Sequence, residues 1–370
     1  MRYVLIVFIL YALLMTLLIK VDPSESQEST FTRQQMLANI ANTIILPLHL
    51  EFVDQTVVFQ GVAYRFRDNP SLETLTRLQQ EWRLTSFLWE KVALFRLGQK
   101  TFVYHSQIDN GTPVSIEMLE ERLAGNDIID TAYVASSGSN LKGLRTIEYL
   151  LFSVEQNNEI ILTRYITDPY AERRMQYLVA AVDALNLTVL DIWNIWSPTG
   201  ENYVAEFIEA DDGSSIQESI SMLANMMISL LEHVVQMNIG ITLGGNLGKV
   251  DPAFVTAPYS GYSLEQTRST IEILQQTFTG DGIGGNQIGF DDYLDFLDVT
   301  HEDQPLSDAI SEQLNLFLDM LNNLDHEALI QNPSLIQPVY GEGIRLIVLM
   351  KTEMATWMGV TITFNDNDGD

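Results

Sequence analysis

Apolar residues recur at spacings of three and four along most of this chain, the period of helices that bury one face. The pattern predicts a long helix, or two in tandem, over residues 31–67. Asn69-Pro70-Ser71 breaks it, and Ser71 can cap a second helix over 72–97. Residues 101–111 show no clear period and read as irregular. A helix over 115–124 follows, then a loop rich in Gly, Ser and Asn ending at Asn140, then a short amphipathic helix over 143–152. Residues 168–196 read as one long helix, stopped by Ser197-Pro198-Thr199-Gly200. Another spans 215–239, with Gly240 after it. Ser263-Leu264-Glu265-Gln266 has capping-box spacing and opens a helix to 279. A Gly-rich loop over 280–289 separates it from three more helices, over 290–299, 305–324 and 342–359. Strand-like alternation is confined to 159–165. The expected fold class is all-α, with long helices packed as bundles and a division near Gly200.

The N-terminus departs from this pattern. Arg2 precedes an uncharged apolar run, residues 3–19, which Lys20 and the polar residues 21–27 close. That is the order of an export signal, and the run is also near the short limit for a spanning helix. Residues 1–27 therefore read as a signal peptide or an N-terminal membrane anchor. Export to the periplasm or cell envelope is expected, with membrane contact only through this segment. At the other end, residues 365–370 form an acidic tail.

Composition narrows the chemistry. Of 370 residues, 46% are hydrophobic and 19% charged, which is globular rather than disordered. The net charge of −29 argues against nucleic acid, which needs a basic face, and leaves cations as natural partners. Cysteine is absent, so thiolate metal sites, disulfides and Cys nucleophiles are excluded.

Arg145 and Glu148 stand three apart on the amphipathic helix and share a face, directly before the apolar run Tyr149 to Phe152. Such a pair is either a salt bridge or a site in which Glu148 ligates a hard cation and Arg145 orients it or an anionic ligand. His49 and Glu51 lie around Pro47 in an otherwise apolar stretch. Two apart, they share a face only if the proline distorts the helix. With Glu148 they are the candidate metal ligands. The other histidines, His105, His233, His301 and His326, match no metalloprotease spacing. Pro258-Tyr259-Ser260-Gly261-Tyr262-Ser263 is a polar, aromatic loop entering a helix; its N–H groups could hold an anion, which makes Tyr259, Ser260 and Ser263 ligand-binding candidates. Neither 281–288 nor 366–370 completes a calcium loop.

These segments resemble the imelysin-like proteins, the M75 peptidase family. Residues 38–47 resemble the family's first helix, and 143–152 its G-x-H-x-x-E motif. Residues 240–244, 258–264 and 360–364 follow in the family's order. The resemblance covers nearly all of the chain after the signal. It implies two helical bundles, residues 31–200 and 201–364, export, and a site near the junction of the bundles. It also implies iron or another divalent cation as cofactor and iron-uptake proteins of the envelope as partners. Arg145 departs from the motif, standing where the family has His; a guanidinium cannot ligate a metal and is a poor general base. The expected function is a non-enzymatic binding protein linked to iron or metal uptake, with a cleft near Glu148 that takes a metal or a small anion. The alternatives are an M75 metallopeptidase and an envelope interaction protein with a vestigial site.

Overall fold

Thr32 opens the first helix by accepting the Gln35 N–H at 3.1 Å. This helix, α1 (Arg33–Asp68), begins the computed structural model, which describes residues 31–155, 157–209, 216–240, 257–324 and 333–362. Residues 1–27, expected as a signal peptide or anchor, and the acidic tail, 365–370, lie outside the described residues. α1 carries a π-helical turn, Ile40–Ile45, directly before Pro47. Proline has no N–H to give the Thr43 carbonyl. The Ile283 N–H takes that carbonyl instead, at 2.9 Å, so the proline converts a helix bond into a tertiary one.

α2 (Leu72–Val92) starts with Ser71 and Thr74 capping each other. α3 (Gly98–Ile108) occupies most of the stretch expected to be irregular. Its buried residues are Thr101, His105 and Ile108, a helical stripe that is mostly polar and so leaves no apolar period. α4 (Ile116–Ala124) and α5 (Thr131–Ala135), capped by Asp130, precede α6 (Gly143–Leu151). α7 (Asn158–Ile166) replaces the expected strand over 159–165. Its buried residues, Ile161 and Tyr165, are four apart, and Asn157 caps it through the Glu159 and Ile160 N–H groups. α8 (Ala171–Trp196) and α9 (Tyr203–Glu209) follow.

In the later half, α10 (Ile216–His233) continues as a π-helical stretch, Val234–Ile239. α11 (Ser263–Thr279) ends at Gly280 in the left-handed region, φ 66°, where a Cβ would stand 2.5 Å from the Ile288 backbone. α12 (Phe290–Phe296), a two-residue antiparallel pair β1 (Thr300–His301) and β2 (Gln304–Pro305), α13 (Leu306–Asn322) and α14 (Pro333–Ile347) complete the order. α14 runs on through Val348–Met354 and Ala355–Trp357. Among the described residues the fold is all-α, as expected.

Thr32–Asp370 is one compact unit. α1 packs on α2 and α8, and α11 packs on α2. That last contact joins residues from either side of Gly200: Gln266 donates to the Ser86 hydroxyl, and Ser269 to the Phe87 carbonyl. α1, α8 and Ser219–Ile239 are long and apolar enough to cross a membrane, but over half of each apolar stretch is buried in the molecule. Trp82, Trp196, Tyr177, Phe52, Phe59 and Phe66 are among the largest side chains there.

Candidate functional site

Short α6 is held by three side chains from α2 and α7. Trp82 Nε1 donates to the Leu144 carbonyl at 3.0 Å, and Gln79 to the Leu151 carbonyl at 2.8 Å. Tyr165 donates to the Leu150 carbonyl at 2.8 Å. At its start, Gly143 has φ +72°, and a Cβ there would stand 2.2 Å from the Ile108 carbonyl oxygen. Only glycine lets the start of α6 approach the end of α3 so closely. That approach sets Arg145 beside Asp109, the residue that ends α3.

Arg145 and Glu148 do not pair with each other by hydrogen bond. Arg145 Nε donates to both Asp109 carboxylate oxygens, at 2.8 and 3.0 Å, and both side chains are nearly buried. No hydrogen bond to Arg145 Nη1 or Nη2 occurs among the described residues. Glu148 is 1% exposed. Its Oε1 accepts the Tyr259 N–H at 3.1 Å and, at 2.8 Å each, the Ser260 N–H and hydroxyl. The loop at 258–263 thus binds an anion, but the anion is the protein's own. Burial pushes the Glu148 carboxyl up to about 7, against the pull of these three bonds and of Arg145.

Two further groups belong to this neighbourhood. Glu90, on α2, accepts from Thr270 at 3.4 Å. Burial and the Asp109 charge push it up to about 8, with Arg145 opposing. Desolvation lowers the pKa of His233, at the end of α10; Arg145 and Arg96 lower it further and Asp109 raises it. At neutral pH the groups that act on one another around Arg145 are a guanidinium edge, a protonated carboxyl at Glu90 and a neutral imidazole. Such a set favours an anionic ligand with several acceptor oxygens.

The other expected residues lie apart. Ser263 does not form the capping box: its hydroxyl accepts the Ala257 N–H at 2.9 Å, and Gln266 reaches α2 rather than its own helix start. The helix begins instead after Tyr262, because the loop's hydrogen bonds outcompete the local cap. His49 is buried, with Nδ1 2.8 Å from the Ile45 carbonyl and its ring against Trp196 and Phe95. Burial lowers its pKa to about 4. Glu51 is exposed and lines a separate cavity with Lys91 and Asp281. The π turn before Pro47 therefore does not bring His49 and Glu51 onto one face. Among the described residues no three His, Asp or Glu side chains converge as metal ligands. With Arg145 at the motif's centre, the donor set there does not fit a bare cation.

Asp109, Glu90 and His233 were not picked out as site residues by the sequence pattern. Glu90 alone carries a local signal, a carboxylate within Phe87-Leu88-Trp89-Glu90.

A model of the imelysin family, peptidase M75, matches residues 45–338. A crystal structure of an imelysin-like protein from Psychrobacter arcticum 273-4 superposes with a TM-score of 0.69 at 17% identity, covering 91% of this chain and 99% of that one. A protein described as an iron-regulated protein A precursor, from Parabacteroides distasonis ATCC 8503, gives a TM-score of 0.72 at 17% identity, covering 90% and 97%. A search of curated proteins finds no match. The family model spans most of the chain, residues 45–338, and the chain belongs to the imelysin family.

Proposed function

We propose that this chain is an exported, non-enzymatic binding protein linked to iron uptake, and that it takes iron as an anionic complex on Arg145, beside the Glu148 clamp. The observation that carries the reading is Arg145. Asp109 occupies its Nε, while its terminal nitrogens have no partner among the described residues. A guanidinium held this way offers a flat pair of donors to carboxylate oxygens. Glu90, protonated at neutral pH, adds a donor. The resemblance of a solved structure described as an iron-regulated protein precursor supports the link to iron and to export. Glu148 acts in this reading as a structural clamp that fixes the loop bordering the site.

A metallopeptidase would need three metal ligands and an open position; the described residues supply no such set. Calorimetric titration with ferric citrate, free citrate and free ferrous ion tests the proposal. Ferric citrate is expected to bind, ferrous ion not, and Arg145→Ala to weaken ferric citrate by about tenfold or more. Tight ferrous binding unaffected by Arg145→Ala would overturn it. No binding of any probe would favour an envelope interaction role with a vestigial site.

A further inference from the structure

Between α3 and α10 lies a cavity of ≈ 520 Å³, lined among others by Arg96, Phe102, Val103, Met222, Asn225 and Met226. That volume is in the range of small-ligand sites. Its walls are mostly apolar, and Phe102 and Val103 stay more than half exposed at its rim. One residue does not suit an apolar hollow. Arg96 lies with its guanidinium 5.1 Å from the centre of the Phe102 ring, and its Nε is buried with no hydrogen-bond partner. No carboxylate pairs with it among the described residues, whereas the buried Arg145 and Arg174 pair with Asp109 and Glu120. Desolvation alone lowers its pKa. An unpaired, partly desolvated guanidinium is costly in a folded protein, all the more noticeable in a chain with 49 acidic residues to choose from.

The same end of the cavity holds the first turn of α3, where Gly98 and Gln99 line the wall. The N-cap residue, Leu97, offers no side-chain acceptor, so the free N–H groups of that turn add to the positive field. The cavity therefore combines a cationic end with aromatic, aliphatic and thioether walls.

We propose that this cavity, which neither Arg145 nor Glu148 lines, is a second ligand site, and that it takes an amphipathic carboxylate: the head on Arg96, the acyl tail along Phe102, Val103, Met222 and Met226. A medium-chain fatty acid is the simplest member of that class. The methionines suit a tail of variable shape, because their unbranched side chains re-pack.

Decanoate is the probe, titrated calorimetrically into the full chain, with decanol and decyltrimethylammonium as controls. Decanoate is expected to bind, decanol at least about tenfold more weakly and the cationic analogue not at all. Arg96→Gln should bring decanoate to the level of decanol. Val103→Trp, placed at an exposed rim position that leaves the core intact, should block both. Absence of decanoate binding overturns the proposal. So does equal binding of decanoate and decanol, or decanoate binding unchanged in Arg96→Gln and Val103→Trp.

Discussion

Gly143 and Glu148 govern the two ends of the same short helix by different means. At Gly143 the constraint is steric. A methyl group would meet the Ile108 carbonyl at 2.2 Å, in a backbone conformation that L side chains rarely adopt. Gly143→Ala should cost about 3 kcal/mol in urea unfolding, and it should also loosen the Arg145–Asp109 pair and with it ligand binding. At Glu148 the constraint is polar. Removing its carboxylate in Glu148→Ala leaves three donors of the 258–263 loop without their acceptor, at a cost of about 3 kcal/mol. Glu148→Gln keeps an acceptor oxygen and should cost under about 1 kcal/mol. Equal losses in the two variants would show that something other than these bonds holds the loop.

The helices show which parts of this fold can be read from pattern and which cannot. α1, α2, α8, α10 and α11 are long and periodic, and the apolar spacing predicts them nearly to their ends. α3 escapes such a reading because its buried stripe is Thr101, His105 and Ile108. α7 escapes because Ile160 and Ile161 stand side by side and imitate a strand; only Ile161 is buried. The charged pair at Arg145 and Glu148 is visible in the sequence, but its true partners are 36 and 112 residues away, and no local pattern encodes such distances. Asn39 makes the same point between elements. Its side chain donates to the carbonyls of Gly280 and Ile288, at 3.0 Å each, and so ties α1 to the turn after α11. Asn39→Ala should lower stability by about 2 kcal/mol. Faster amide exchange is expected in residues 280–289, with little change in α6.

Across the whole molecule, acid and alkali act through opposite groups. Glu148 titrates at about 7 in the folded protein against 4.5 in the open chain. Its contribution is therefore full below 4.5 and lost as pH rises through 7. Glu90 acts in the same direction up to about 8. His49 titrates at about 4 when folded against 6.5 otherwise, so its contribution is full above 6.5 and lost as pH falls toward 4. Stability should be greatest between about 4.5 and 6.5, and Glu148→Gln should flatten the alkaline side of the thermal-melting profile. The net charge of −29 adds self-repulsion, so moderate salt should raise the melting temperature at pH 8 more than at pH 5.

Arg145 joins these scales, since a glycine contact, the neighbouring helices and the clamped loop together fix its surroundings. The most direct measurement is a paired titration of wild type and Arg145→His with ferric citrate and with free ferrous ion. The account predicts that wild type binds ferric citrate and ignores the free ion, and that Arg145→His loses ferric citrate by about tenfold or more. Free ferrous ion binding to wild type, with ferric citrate binding untouched by the substitution, would contradict it.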